Sequence, residues 1–577
     1  MKRYIFMAVA VLMMVSCVDT LIMPDDKTVD EDFWKSKRDV QLMVNGAYQA
    51  MLGENVISRL IVWGDLRSEE MIPEATLTGA LHEDLTEINL GNTQTDNQFA
   101  TWAPFYAVIN RCNLVLERAE AVLEEDPSYT QGDYLSDCSQ MLALRSLCYF
   151  YLVRNFRDIP YISSAYTDSS QDRNVAQSNP DSVLTCCLRD LEVAEKNAIS
   201  ANAFTDWRRV GYFTRDAINA LQADIYLWLG SVRHSNADYE QCVAYCDKII
   251  DSKKGQHVYD RGNSELRDYW LAEGRAAYVR LYVNKNAEES IFELQFDGSS
   301  NTNVGLTKYF SHNTDRSGAV PYLYASSIFG NPINSSYVFY SGQGSTDYRA
   351  LNDTYINDPK TVGDFEALGI RKYISSIAKT QTAGTEAAAD YNSSLDRNYI
   401  VYRLPDIMLM KAEALTALSN DVNDERLAEA FELVKSVNQR SKDLLTDVLK
   451  WGSIETAADP VAAMETLVLA ERLRELAFEG KRWYDLLRYS FRHTEGIDYT
   501  TTMAAQNDRG VAFASTYNEM LTLMIRKLGG TKGSAVAAKM STEPKLYMPV
   551  PLDEVSVCPL LRQNPGYSEN EKFNKNY

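Results

Sequence analysis

The chain has 577 residues, 45% of them apolar and 24% charged, enough to bury a large core and far from a disordered composition. Its 58 Lys+Arg against 79 Asp+Glu leave a net charge of −21, which repels phosphate backbones and, with no basic patch in the sequence, argues against a nucleic-acid partner. Aromatic residues make up 11%, led by 35 Tyr, a side chain whose flat face and polar tip suit cores, sugar rings and peptides alike.

The chain opens on a targeting segment. Met1-Lys2-Arg3 is a positive start, and Ile5 to Val15 is an unbroken apolar run of eleven residues, too short to cross a bilayer core of ~30 Å as a helix. It ends in Met14-Val15-Ser16-Cys17, with a small residue just before the cysteine. That order resembles the lipobox of bacterial lipoproteins, which implies lipidation of Cys17 and stable anchoring by acyl chains; an ordinary secretory peptide is the alternative. No other segment reaches the ~18 consecutive apolar residues of a membrane span. The mature chain is expected to be held at a membrane without spanning it.

Helical periodicity follows. A first helix contains Asn45-Gly46-Ala47-Tyr48, a second runs from Trp102 to Leu116, and a third from Met141 to Arg154. Next come Val183–Ala198, Arg215–Gly230 and Tyr239–Ile250; in Arg215–Gly230 the apolar Ile218, Leu221, Ile225 and Leu229 recur at three- and four-residue steps. After an interruption, Asn398–Leu418, Glu425–Arg440 and Val461–Leu487 resume the pattern. Several of these helices pair across short polar turns, with Ala217, Ala220 and Gly230 or Ala412 and Ala414 at the close crossings. Such spacing suggests tetratricopeptide-like hairpins, with an unrelated all-helical array or toroid as the alternative.

Residues 257–395 break this pattern. Within 301–350, nine residues are aromatic, 22 are Gly, Ser, Thr or Asn, and five are charged, the composition of a long irregular region of the kind that builds binding surfaces on rigid frames. The reading divides the chain into a signal peptide (1–16), a helical region (17–256), the irregular region (257–395), a fourth helix pair with a further helix (396–490) and a loop-rich end (491–577). Cys112, Cys148, Cys186, Cys187, Cys242 and Cys246 fall in helical segments, no CxxC pair exists, and the five histidines are scattered. This points away from a metal or other cofactor and toward small buried thiols, Cys242 and Cys246 included.

Five segments carry a family likeness. They are Gly64-Asp65-Leu66-Arg67-Ser68-Glu69-Glu70; Trp102-x-x-x-Tyr106-x-x-Ile109-x-x-x-Asn113; Ala143-Leu144-Arg145 through Tyr149-Phe150-Tyr151-Leu152-Val153-Arg154-x-Phe156 to Ile159-Pro160; Arg403-Leu404-Pro405-Asp406 through Ala412-Glu413-Ala414; and Glu471-Arg472-x-x-Glu475-Leu476-Ala477-Phe478-Glu479-Gly480-x-Arg482-Trp483-Tyr484-Asp485-Leu486-x-Arg488. The chain closes with Tyr547-Met548-Pro549-Val550-Pro551 and Gln563-Asn564-Pro565-Gly566-Tyr567. With the Cys17 segment, this set resembles the SusD/RagB family of outer-membrane nutrient-binding lipoproteins along essentially the whole mature chain. The resemblance implies a mostly α fold, with four tetratricopeptide-like helix pairs as scaffold and an irregular, loop-rich ligand-binding region packed on them. It implies a lipid-anchored, cell-surface place at the outer membrane. It also implies a SusC-like TonB-dependent transporter as partner, for which the lipoprotein is a hinged lid. The ligand implied is an oligosaccharide, or a peptide in the RagB branch.

Glu475, Glu479, Arg482 and Asp485 have helical spacing and a superficial likeness to the paired carboxylates of a glycosidase. Ion pairs at i,i+3 or i,i+4 around a packed Trp483 are the simpler reading, and Asp406 and Glu413 read as helix-start and helix-packing positions. No nucleophile elbow, phosphate loop or dinucleotide fingerprint appears. The chain is therefore read as non-catalytic, with a helical-toroid glycoside hydrolase or lyase as the remaining enzyme alternative.

In the family the ligand site forms where loops after the first helix meet the irregular region, which here means residues 72–100 and roughly 257–360. The first loop offers His82, Asp84, Asn92, Gln94 and Asp96 for hydrogen bonding but no Trp. Stacking is therefore assigned to Trp270, Tyr322, Tyr324, Tyr337 and Tyr340. The N-terminal order generates a first prediction. Replacing Cys17 with Ala removes the lipid and moves the protein out of the outer-membrane fraction; full sedimentation with outer membranes would show that Cys17 is not the anchor.

Overall fold

The computed structural model describes residues 33–168, 170–256, 271–310, 321–329, 347–349, 355–362, 365–373, 396–442 and 449–567. Cys17, Trp270, Tyr337 and Tyr340 lie outside the described residues. The first half contains α1 (Lys37–Met51), α2 (Glu54–Ile61), β1 (Met71–Pro73), α3 (Ala80–Asn89), α4 (Ala103–Arg118), α5 (Gln131–Phe156), the short strands β2 (Ile159–Pro160) and β3 (Gln177–Ser178), α6 (Pro180–Asn197), α7 (Arg215–Arg233) and α8 (Asn236–Gln256). The second half contains β4 (Ser290–Leu294), α9 (Val304–Phe310), β5 (Leu323–Ser326), β6 (Ile356–Val362), β7 (Phe365–Ile370), β8 (Tyr399–Arg403), α10 (Leu404–Leu418), α11 (Glu425–Gln439), α12 (Pro460–Leu476) and α13 (Arg482–Arg492). The fold is mostly helical. Among the described residues no helix is long and apolar enough to cross a membrane.

Helices lie side by side in chain order: α4 on α5, α5 on α6, α7 on α8, α8 on α10, α10 on α11, and α11 on α12. Local chemistry sets where they start and how closely they approach. Thr130 and Asp133 form a reciprocal capping box at the start of α5, while Asn179 and Pro180 start α6. In the α7/α8 hairpin, His234 takes a left-handed φ of 52° and ends α7. A Cβ on Gly230 would lie 2.7 Å from the ring of Tyr239, so only glycine lets that ring press against α7. Cys242 and Cys246 are buried free thiols on α8.

Four expectations are corrected. Helix α5 begins ten residues before Met141, because its capped first turns are polar and partly exposed and carry no apolar rhythm. The stretch from Asn398 is not all helix: Tyr399–Arg403 is a strand, paired antiparallel with β4 and buried at all five positions, so the alternation that marks a strand is missing. Val461–Leu487 is two helices, broken at Ala477–Lys481 by Phe478 and Gly480 at φ 64° and 72°. The region read as irregular also supplies three strands of a four-stranded sheet in the order β1-β5-β7-β6, which ties Met71–Pro73 to Leu323–Ala325 in antiparallel register.

The break between α12 and α13 is where the two halves of the chain meet. A Cβ built on Gly64 would sit 2.2 Å from the carbonyl oxygen of Gly480, and one on Gly480 would sit 2.2 Å from the Tyr399 hydroxyl. Gly64 lies in a π-helical turn, Val62–Leu66, that continues α2 and brings backbone against backbone. Gly480 donates its N–H to Asp65 Oδ2 at 2.9 Å, and Arg482 donates to Glu69 Oε1 through Nε at 2.9 Å and Nη2 at 2.6 Å. Arg67 lies 4.4 Å over the ring of the fully buried Trp483. Adding one methyl at Gly64 therefore costs about 1–3 kcal/mol of overpacking. Chemical denaturation of Gly64→Ala is expected to show that loss. Gly46→Ala on α1, where no atom lies within 4 Å, is expected to be neutral or stabilising.

Candidate functional site

The charged residues of the fifth segment are buried and spent on partners far away in the chain. Glu475 accepts from Arg403 and Arg440 at Oε1 and from Arg349 at Oε2, 3.0 Å away. Glu479 accepts from Arg403 Nε at 2.9 Å, from Lys372, and from the Tyr282 hydroxyl at 2.9 Å. Burial alone would push both carboxyls up, but the surrounding cations hold Glu475 well below the usual carboxylate range and lower Glu479. The same burial pulls the Lys372 ammonium down to about 8, against the pull of Glu479. Asp485 does keep a local partner, Arg488 at 2.8 Å, but Arg488 and Arg472 also join it to Glu413 and Asp406 on α10. The expected pairs at i,i+3 occur at Asp485–Arg488 and Glu471–Arg474, but they belong to a buried grid that crosses segments. Trp483 is packed at its edge, as expected.

The other segments also serve structure. Asn113 on α4 donates through Nδ2 to the carbonyls of Ile162 and Ser164 and accepts from Arg145 at 2.7 Å. The hydroxyls of Tyr106 and Tyr149 donate to the carbonyls of Pro160 and Ile162, both at 2.6 Å. Together they strap residues 159–164 across α4 and α5. Asp65 and Glu70 form a buried carboxyl pair beneath Phe478 and Gly480. Burial raises Asp65 to about 7 and, with the neighbouring Asp65, holds Glu70 well above its ordinary value.

The residues read as ligand contacts fall in two places. At the β1–β5 pairing, Tyr322 is half-buried, its ring edge-on to Tyr309 at 5.3 Å, and its carbonyl accepts from Glu74 N–H at 2.9 Å. Tyr324, opposite Ile72, is 1% exposed; its ring is packed away and offers no stacking face, a correction to its assigned role. His82 is half-buried in the first turn of α3. Asp84 is buried and accepts from Gln98 Nε2 at 2.7 Å, holding the loop closed on itself.

The second place is a polar cleft of ≈ 350 Å³ lined by Asn92, Thr93, Gln94, Thr95, Lys545 and the closing Pro565-Gly566-Tyr567. Lys545 Nζ lies 4.4 Å over the Tyr567 ring. Asp96 is exposed and outside the cleft lining. The loop's Asn92 and Gln94 therefore share a concavity with the C-terminal segment. Lys545 and Tyr567 were not among the expected contacts; Tyr567 was legible only as part of the closing Asn-Pro-Gly-Tyr, with nothing in the sequence to place it beside residue 92.

A family model described as "SusD family" matches residues 323–567, and one described as "Starch-binding associating with outer membrane" matches residues 23–227. The chain belongs to the SusD-like family. SusD-like protein P38 of Formosa agariphila is 24% identical over 512 residues, covering 85% of this chain and 92% of that protein. A SusD homolog of Bacteroides thetaiotaomicron shares the fold with a TM-score of 0.66 at 17% identity, covering 93% of this chain and 98% of the other. A laminarin-binding SusD-like protein does so with a TM-score of 0.59 at 20% identity, covering 92% and 100%.

In this SusD-like chain the signature carboxylates act as structural counter-ions. Glu475→Gln leaves the cations at 349, 403 and 440 facing a neutral amide, an uncompensated buried charge worth about 3–5 kcal/mol. Denaturant titration is expected to show that loss; a shift below about 1 kcal/mol would mean the grid is slack.

Proposed function

We propose that this SusD-like protein is a non-catalytic outer-membrane lipoprotein, anchored through Cys17 and exposed at the cell surface, which captures an oligosaccharide and passes it to a SusC-like TonB-dependent transporter. The observation that carries binding over hydrolysis is the burial of the signature acids. Glycosidase carboxylates face each other across an open cleft with room for a sugar and water. Glu475, Glu479 and Asp485 are at most 2% exposed and already paired with cations. They lack the access that chemistry needs.

The description of the N-terminal family match, starch binding in association with the outer membrane, supports the glycan and the membrane. The laminarin-binding relative by fold supports the glycan. In this reading the ligand lies where residues 72–100 approach the aromatic-rich region, a neighbourhood favoured by the β1–β5 pairing. Tyr322 is a half-buried aromatic there, and Trp270, Tyr337 and Tyr340 remain the proposed stacking residues beyond the described ones.

Affinity electrophoresis against a polysaccharide panel tests the first half of this reading. The wild-type protein is retarded by at least one polysaccharide, and its bound oligosaccharide keeps its chain length by mass spectrometry after prolonged incubation. Shortened product revives the toroid enzyme; retention of peptides with no polysaccharide retarding the protein selects the RagB-like alternative. Pulling this chain from gently solubilised outer membranes is expected to bring a large TonB-dependent barrel with it, and recovery of the lipoprotein alone counts against the lid.

A further inference from the structure

Residues 204–212, between α6 and α7, carry an aromatic cluster that the ligand reading leaves unused. Among the described residues, the large apolar side chains that are well exposed are Leu42, Val193, Trp207, Val511, Val557 and Leu560, and Trp207 is the one aromatic of that set, 44% exposed. Its indole is seated on a built support. A Cβ on Gly211 would lie 2.6 Å from Cε3 of the ring, so a glycine there lets the indole lie against the backbone. Tyr212 meets it edge-on, with centroids 5.4 Å apart. Tyr212 in turn stacks on Tyr48 of α1 at 5.2 Å, and its hydroxyl donates to Asn45 Oδ1 at 3.1 Å. On the other side Arg209 donates to the carbonyl of Asn286 at 2.7 Å. The ring is thus fixed to the rigid scaffold while much of its surface stays in water.

Its two neighbours in the chain, Asp206 and Arg208, are paired with each other. Arg208 donates to Asp206 through Nε at 3.0 Å and Nη2 at 2.8 Å, and its guanidinium lies 5.1 Å over the Phe204 ring. Both side chains remain more than two-fifths exposed, which leaves donors and acceptors open to solvent at the positions flanking Trp207 in sequence. A flat apolar ring with immobilised hydrogen-bonding arms matches a pyranose, whose C–H face is apolar and whose rim is hydroxyl. Holding both parts in place beforehand lowers the ordering cost of binding.

We propose that Trp207, with Asp206 and Arg208, forms a second carbohydrate contact that stacks on one pyranose of a glycan chain. The inference rests on the glycan-binding reading above and adds to it a contact outside residues 72–100 and 257–360. A second contact on one polymer works by effective concentration, so its weight falls on long chains rather than short fragments.

The test compares wild type, Trp207→Ala and Trp207→Phe by affinity electrophoresis against starch, laminarin and the other polysaccharides of the panel. Melting temperature is measured for each protein. On the polysaccharide that retards wild type, Trp207→Ala is expected to bind about tenfold more weakly, the worth of roughly one stacked ring. Trp207→Phe is expected to recover most of that loss at an equal melting temperature. Wild-type affinity in Trp207→Ala overturns the proposal and leaves the indole as a cover for Tyr212.

If the Ala variant melts early, 5-fluorotryptophan labelling decides. The Trp207 fluorine resonance, identified by its absence in Trp207→Phe, shifts with added polysaccharide if the proposal holds and stays fixed if it fails. A wild type retarded by no polysaccharide overturns the glycan reading itself, and this inference with it. That outcome is distinct from one in which wild type and Trp207→Ala bind alike.

Discussion

Glu475 and Glu479, at the end of α12 and in the break that follows, gather Arg349, Lys372, Arg403 and Arg440 around two buried carboxylates. Those cations come from the aromatic-rich region, from β8 and from the end of α11. Taking ions out of water costs several kcal/mol each, so such a cluster need not be more stable than an apolar core of the same size. What it supplies is direction. An apolar patch tolerates sliding, whereas an arginine fork bound to one carboxylate fixes distance and angle together. Residues 347–349 and 371–373 are held to the helical frame in this way, and with them the base of the region proposed to meet ligand.

The helical frame was largely legible in the sequence. Helix α11 was placed to within a residue of its end, because one face is buried and the other wet; α7 is buried on nearly every side, yet its large apolar residues still recur at three- and four-residue steps among small and polar ones. Legibility failed where complete burial coincides with a change of element. β8 is covered at every position and runs directly into α10, so its apolar run merges with the helix that follows. The break at Ala477–Lys481 is invisible for the same reason, since apolar and charged residues alike go inside there and the periodicity passes straight through.

Charged side chains misled in a different way. Spacing along a helix suggests the neighbour one turn away, but a buried carboxylate takes whichever cation the fold delivers, and Glu475 is 126 residues from Arg349. Of the candidate site, the approach of the two regions was legible: Ile72 and Pro73, at the start of residues 72–100, pair with Tyr324 and Leu323. The cleft beside Asn92 was not, since its other wall comes from the far end of the chain. Trp207 left no trace at all, because a single exposed aromatic forms no pattern. Only the geometry of Gly211 and Tyr212 marks it as deliberately seated.

The contact of Gly64 with Gly480 has a consequence for how such chains can be recombined. Two main chains pressed together without side chains between them leave no layer to absorb a change on either side. Asp65, Glu69 and Arg482 fasten the same seam by groups that must match across it. A chimera that takes its first half from one relative and its second from another will assemble only if both sides of this seam travel together. The two halves, though matched by separate family models, therefore constitute a single heritable unit.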